Sequence, residues 1–150
     1  MRRFFSILPA AVFAVGLSAF ACAETPTLAP GELSQHVLDS ARDGDIIILA
    51  PGEHKGPIRI ERRVVLRGEP GAIVTGNGTG SVISVHGPGV EIRGLIIEGS
   101  GRNLQAMDSG IYLEKTAERT LVDSNCIIGN LFGVYVHGAT GTRVLNNVIE

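Results

Sequence analysis

Three polar residues of the sequence have the types and the spacing to form a metal site. His86, Glu114 and His137 each end a short run in which apolar residues alternate with others. If these runs stack as neighbouring parallel strands, the Glu114 carboxylate lies about 5 Å from an imidazole on either side. Carboxylate and imidazole groups bind metal ions in such an arrangement. A solvated polar ladder is the alternative, and the flanking Gly87 and Gly138 fit it equally well.

A methionine could contribute to this site, because Met107 carries a thioether sulfur, and thioether sulfur prefers Cu(I). The only other methionine of the chain is Met1. Met107 lies in residues 99–109, a segment that interrupts the repeats described below. Methionine also packs loops onto apolar cores, so a packing role for Met107 stays open. The candidate metal ligands are therefore His86, Glu114, His137 and Met107.

The acidic residues of the repeats do not form a catalytic pattern. Enzymes that cleave sugars need two carboxylates placed across a bond, or a set that holds a cation. Here Asp108, Glu114, Glu118 and Asp123 are scattered singly. The sequence also contains neither a nucleophile motif nor a phosphate-binding loop. We therefore expect a protein that is not an enzyme.

Short β-branched runs recur along the chain and must position these side chains. Leu66 aligns with Ile92 after 26 residues, Ile92 with Val122 after 30, and Val122 with Val144 after 22. The insertion at 99–109 accounts for the longest interval. Repeats of this length, bounded by Gly and Asn, indicate a solenoid of stacked strands. The sequence predicts an all-β fold, a right-handed single-stranded parallel β-helix (a pectin-lyase-like solenoid) of four to five coils.

Two positions of the repeat predict structural roles. Asn125 and Asn147 occupy the same position, so their side chains are expected to hydrogen-bond along the solenoid axis. Cys126 aligns with the apolar residues Ile96 and Val148. We therefore expect a buried thiol that behaves as a small hydrophobic residue.

The segment before the repeats predicts a cap. Leu33, Val37, Leu38 and Ala41 have helical spacing, which predicts a short helix over residues 32–42 after a linker at 24–31. A helix there would cover the open end of the stack. The last apolar run stops inside a rung. We expect residues 24–150 to be the N-terminal part of a longer β-helix domain.

Residues 1–23 have the features of a signal peptide. A basic start that includes Arg2 and Arg3 precedes an uncharged apolar run at 4–20, and small residues lead to Ala23. We expect cleavage after Ala23 and export to the periplasm. A lipoprotein anchored through Cys22 is the alternative.

The charge of the mature chain argues against nucleic-acid binding. Removal of Arg2 and Arg3 reduces the 13 basic residues to 11, against 15 acidic residues, so the formal net charge becomes −4. Nucleic-acid partners require a basic face. Cys126 is then the single cysteine, which excludes an internal disulfide.

Several segments resemble the NosD family, the periplasmic maturation proteins of nitrous oxide reductase. The segments are 43–46 and 49–52 in the cap, and 90–101, 107–114 and 129–138 in the repeats. The resemblance implies a parallel β-helix that works with an ABC-type ATPase and permease. It also implies a role in building the copper-sulfur centre of nitrous oxide reductase, with copper received from a chaperone. It implies no particular copper ligand in this segment.

Two other functions remain open from the sequence. A carbohydrate-active β-helix, such as a lyase, hydrolase or epimerase, would need a carboxylate or Lys/Arg cluster that these coils do not contain. A structural or adhesive solenoid would need only an exposed docking surface. Tyr112 and Tyr135, which alternation places on the outside, could supply one.

Overall fold

The computed structural model describes residues 25–150, and the predicted signal peptide at 1–23 lies outside them. Within the described residues the chain forms fifteen short β-strands and one α-helix. Every strand pair is parallel. No helix in residues 25–150 is long and apolar enough to cross a membrane.

The strands form three sheets. The six-stranded sheet contains, in order of pairing, β1 (Thr27–Leu28), β2 (Ile46–Leu49), β5 (Val65–Gly68), β8 (Glu91–Arg93), β11 (Leu121–Asp123) and β14 (Arg143–Leu145). The five-stranded sheet contains β3 (Gly52–Lys55), β6 (Ala72–Thr75), β9 (Ile96–Glu98), β12 (Cys126–Ile127) and β15 (Val148–Ile149). The four-stranded sheet contains β4 (Ile58–Ile60), β7 (Ile83–Val85), β10 (Ser109–Leu113) and β13 (Phe132–Val136).

Each of the first four coils contributes one strand to each sheet, the last described coil contributes β14 and β15, and β1 lies ahead of the first coil. The chain runs from the six-stranded to the five-stranded and then the four-stranded sheet, and returns to the first sheet one coil further on. The result is a right-handed parallel β-helix of about five coils, as predicted. The predicted repeat register is also confirmed, because Ile92 pairs with Leu66 on one side and Val122 on the other, and Val122 pairs with Val144.

Alternate side chains of the strands fill a narrow apolar core. Ile83 and Ile111 pair on neighbouring coils, and both are fully buried. Leu66, Ile92 and Val122 form a second fully buried column. Each buried aliphatic side chain contributes about 1.5–3 kcal/mol, so the stack is stabilised coil by coil.

The prediction for Cys126 was wrong. It pairs with Ile96 and Val148 as expected, but this column faces outwards, and Cys126 is half-buried with a free thiol. The cause is the turn before β12. Ser124 takes a left-handed conformation with φ of 57°, after which Asn125 faces the interior. Alternation then turns Cys126 outwards and buries Ile127 completely.

The asparagine ladder is confirmed. The Asn125 side chain accepts from the Leu95 N–H at 3.0 Å and donates to the Ile92 carbonyl at 3.0 Å. Its amide nitrogen also donates to Oδ1 of Asn147, at 3.0 Å. In turn, the Asn147 amide nitrogen donates to the Val122 carbonyl at 2.9 Å. The ladder thus satisfies backbone groups at the turns of two successive coils, with side chains from the second and third.

The cap is present, but its helix is shorter than the predicted 32–42. Helix α1 spans Gln35–Ser40, and Ser34 caps its start by accepting from the backbone N–H of Val37. Leu33 and Ala41 are buried, but they lie outside the helix. The helical spacing of the apolar residues therefore reflects which residues are buried and not how long the helix is. The Gln35 side chain accepts from the Arg59 N–H and donates to the Arg59 carbonyl. It thereby closes the free edge of β4.

The region predicted as a linker at 24–31 contains a strand. β1 pairs with β2, through Thr27 with Ile48 and Leu28 with Leu49. The six-stranded sheet therefore has its own edge cover, separate from the helix. Two different elements close the N-terminal end of the stack.

Replacing Asn125 with alanine should lower the free energy of unfolding by about 2–4 kcal/mol, because two buried backbone groups lose their partners. Urea denaturation followed by circular dichroism measures this change. Asn77→Ala is the matched control, since the Asn77 side chain is exposed and bonds only to Thr79. The control should change the free energy by less than about 0.5 kcal/mol. Equal losses in the two variants would contradict a special role for the ladder.

Candidate functional site

The outer face of the four-stranded sheet carries the residues that the sequence singled out. Two columns of side chains run along this face, with one residue per coil. The tyrosine column consists of Arg59, Ser84, Tyr112 and Tyr135. The histidine column continues the same strands by two residues and consists of Glu61, His86, Glu114 and His137.

Both columns face outwards because the residues between them face inwards. Val85 and Leu113 are fully buried in the core. Tyr112 and Glu114, which flank Leu113, are half-buried, and His137 is exposed. The alternation predicted from the sequence is therefore confirmed on this face.

Tyr112 and Tyr135 stack on neighbouring coils. Their ring centroids lie 5.3 Å apart, and the ring planes are inclined by 30°. Offset stacking of this kind contributes about 0.5–1.5 kcal/mol beyond the area that it buries. Phe132 adds a third ring, 6.4 Å from Tyr135 between centroids. The face thus carries an aromatic patch built from two coils.

A phenol, an imidazole and a carboxylate meet at the edge of this patch. The hydroxyl of Tyr112 lies 2.9 Å from Nδ1 of His137. Oε2 of Glu114 lies 3.6 Å from the same nitrogen. In the tautomer of neutral His137 that carries its proton on Nε2, the Tyr112 hydroxyl donates to Nδ1; in the other tautomer, the Nδ1–H group donates to the Tyr112 oxygen.

Burial raises the pKa of the Tyr112 hydroxyl above its ordinary value, and the charges of Glu114 and of ionised Tyr135 raise this pKa further. Tyr112 is therefore neutral at physiological pH and remains a hydrogen-bond donor. The folded pKa lies above the unfolded pKa. The resulting contribution to stability is complete below about pH 10 and is lost as the pH rises through the raised pKa.

The predicted metal ligands are only partly brought together. His86, Glu114 and His137 occupy successive coils, as expected, but the side-chain contact is between Glu114 and His137. Residues 25–150 contain no group of three or more His, Cys, Asp or Glu side chains placed to hold a metal ion. In addition, Nδ1 of His137 is already engaged by Tyr112. The set does not fit a preassembled copper site.

Met107, the fourth predicted ligand, lies in the insertion between β9 and β10. It takes a left-handed conformation with φ of 54°, and its carbonyl accepts from the Ser109 hydroxyl. The buried Asp108 carboxylate fixes the loop by accepting from the Asn103 N–H at 2.9 Å. Met107 takes part in none of the contacts of the histidine column described above.

His54 is a buried residue whose environment the sequence analysis missed. It is fully buried, Nε2 lies 2.8 Å from the Ala50 carbonyl oxygen, and Nδ1 has no hydrogen-bond partner within residues 25–150. The alternation of inward and outward residues along β3 could have predicted this burial, because His54 pairs with Val74, whose side chain faces the core. Its single hydrogen bond supports a structural role in the first coil.

The fold places the chain among the parallel β-helix proteins. A variant of pectin methylesterase in complex with a hexasaccharide matches with a TM-score of 0.58 and 17% identity, over 73% of this chain and 44% of that one. Pectin methylesterase PemA from Erwinia chrysanthemi matches with a TM-score of 0.54 and 16% identity, over 65% of this chain and 38% of that one. At these identities the likeness shows the fold alone.

Curated relatives identify the family. The chain is 36% identical over 102 residues, 68% of its length, to a probable ABC transporter binding protein NosD from Stutzerimonas stutzeri. The protein of the same name from Pseudomonas aeruginosa gives the same identity over the same length. On this similarity the chain is assigned to the NosD family. The match spans 23% and 24% of these two relatives, and no protein-family model matches the chain.

Removing the Glu114 charge should lower the pKa of Tyr112, because a nearby carboxylate disfavours the phenolate. Ultraviolet titration of phenolate formation measures this pKa, and the chain has two tyrosines. In a Tyr135→Phe background the signal belongs to Tyr112 alone, and there Glu114→Gln should shift the curve towards lower pH. Glu118→Gln serves as the control and should leave the curve in place. A curve that does not respond to Glu114→Gln would contradict the geometry of the group.

Proposed function

We propose that the chain belongs to a periplasmic accessory protein that serves nitrous oxide reductase together with an ABC transporter. The observation that carries this proposal is the 36% identity to two proteins named as ABC transporter binding proteins NosD. The signal peptide predicted from the sequence supports the periplasmic location. The match covers about a quarter of these relatives, so the role is proposed for the protein as a whole.

The finer proposal concerns the copper-sulfur centre of nitrous oxide reductase. The protein assists its assembly, with an ABC-type ATPase and permease, a copper chaperone and the reductase as partners. Copper is the cargo of this system and not a resident cofactor of residues 25–150. The support for this distinction is geometric, because only Glu114 and His137 among the four predicted ligands are in contact.

The role proposed for this segment is docking, and it is not enzymatic. The stacked Tyr112 and Tyr135 form an amphipathic surface held by a rigid stack of strands. Aromatic residues of this kind are common at protein interfaces, because they offer a large apolar area and a polar tip. The likeness to pectin methylesterase concerns the fold alone.

A strain that lacks the gene tests the function. The reductase purified from this strain should reach the periplasm without its copper-sulfur centre, seen as loss of the centre's absorption and of its copper. Complementation with the natural gene should restore both. Tyr112→Ala with Tyr135→Ala should restore less than about a tenth of the loaded enzyme, since interface aromatics often contribute 2 kcal/mol or more. A reductase that carries its complete copper-sulfur centre in the deletion strain would contradict the proposal.

A Cu(I) competition with a chelator tests the histidine column. We expect His86→Ala combined with His137→Ala to leave the affinity of the protein unchanged within about twofold, because the column lacks a preassembled ligand set. Tyr112→Phe is a second variant to compare in the same assay, because it removes the hydroxyl that engages Nδ1 of His137 and keeps both imidazoles. A tenfold or larger loss in the double variant would instead assign a copper site to His86, Glu114 and His137.

A further inference from the structure

The turn between β6 and β7 contains an Asn-Gly pair, Asn77-Gly78, followed by Thr79. All three residues are exposed, so water reaches the amide group of Asn77. The backbone nitrogen after an asparagine can attack the side-chain amide carbon, and glycine leaves this approach open because it has no side chain. None of the other five asparagines of the chain precedes a glycine. The pair therefore has a chemistry that no other position of the sequence offers.

The side-chain oxygen of Asn77 is held by two hydrogen-bond donors of Thr79. The backbone N–H of Thr79 donates to Oδ1 of Asn77 at 3.1 Å, and its hydroxyl donates to the same oxygen at 2.7 Å. An attack on the amide carbon turns this oxygen into an oxyanion, and donors already aimed at it stabilise the new charge. The turn therefore favours a reaction of the Asn77 amide itself.

The attacking group would be the backbone nitrogen of Gly78. Gly78 has a φ of 79°, and a Cβ atom added there would meet nothing within 4 Å. Its N–H donates to the carbonyl of Gly99, the first residue of the insertion, at 3.1 Å. The neighbouring Gly80 carbonyl accepts from the Gly101 N–H at 2.8 Å. The turn thus anchors the start of the insertion, and a covalent change at Gly78 removes one of the anchoring bonds.

We propose that Asn77 is a site of spontaneous deamidation and that the reaction loosens the insertion. The Gly78 nitrogen forms a bond to Cγ of Asn77, the bond from Cγ to Nδ2 breaks, and Nδ2 leaves as ammonia with the proton of the Gly78 N–H. Water then opens the cyclic imide at either carbonyl and leaves aspartate or isoaspartate. Both products add a negative charge, and isoaspartate also lengthens the main chain by one methylene group. This site is distinct from the tyrosine and histidine columns, and the inference goes beyond the proposed function.

Incubation of the folded full-length protein at physiological temperature and pH tests the chemistry. Mass spectrometry of its peptides measures conversion of the amide to the acid, and labelling by an isoaspartyl methyltransferase identifies isoaspartate. We expect the peptide that contains Asn77 to gain both signals with time. The internal control is Asn103, an exposed asparagine that precedes Leu104, and its peptide should stay unchanged. An Asn77 peptide as unchanged as the Asn103 peptide would overturn the inference.

Two substitutions of Thr79 test the part played by its hydroxyl. Thr79→Val removes the hydroxyl donor and should slow the conversion of Asn77 about tenfold, since the donor stabilises the oxyanion. Thr79→Ser keeps a hydroxyl and should leave the rate within about twofold. Thr79 is exposed, so neither substitution reaches the core, and thermal unfolding confirms the fold of each variant. Equal rates in the valine and serine variants would contradict the role of the hydroxyl.

Hydrogen exchange tests whether the reaction loosens the insertion. The Gly101 amide, which donates to the Gly80 carbonyl, should exchange about tenfold faster or more in the deamidated protein than in fresh protein, because local opening becomes easier. Asn77→Ala cannot deamidate and is the matched control, so its exchange should not change on incubation. Equal exchange of Gly101 in fresh and deamidated protein would overturn the claim that the reaction loosens the insertion.

Discussion

The structure depends on the parallel hydrogen-bonded register between successive coils. In the four-stranded sheet, the N–H of Glu114 donates to the carbonyl of Val85, and the N–H of His137 donates to that of Leu113. Once this register is set, every residue shares a column with its equivalents, about 4.8 Å apart. The side chain of Asn125 holds the register at the turn, where strand pairing is interrupted. The core and the outer faces both follow from this one constraint.

The register divides the exterior into three faces of different chemistry. The six-stranded sheet carries charges that neutralise one another around Arg93. The four-stranded sheet carries the aromatic patch of Tyr112 and Tyr135, and the five-stranded sheet carries the outward apolar pair of Ile96 and Cys126. The core is narrow and filled with apolar side chains, so the polar and aromatic groups that could contact a partner lie on these outer faces. Such a molecule is suited to hold partners along its length, which agrees with the proposed accessory role.

Much of this fold could be predicted from the sequence, because parallel stacking turns a repeat directly into a strand pairing. The alignment of Leu66, Ile92, Val122 and Val144 was sufficient to give the register of the six-stranded sheet. The prediction of burial failed where a local backbone conformation changed which residues of a strand face inwards. The left-handed Ser124 turned Cys126 outwards, and no apolar pattern signals such a shift. The candidate site could be predicted less completely than the fold. The register places Tyr112, Glu114 and His137 on one face, but the side-chain conformations decide which of their atoms are in contact.

The central claim, that this β-helix works with an ABC transporter, is tested most directly by co-purification. The tagged full-length protein would be isolated from detergent-solubilised membranes of its host, under the conditions in which the host reduces nitrous oxide. We expect an ATPase and a permease to be recovered with it in comparable amounts, and to be lost when the membranes are prepared from a permease deletion. Recovery of the protein without either subunit, in cells that load nitrous oxide reductase normally, would contradict the claim.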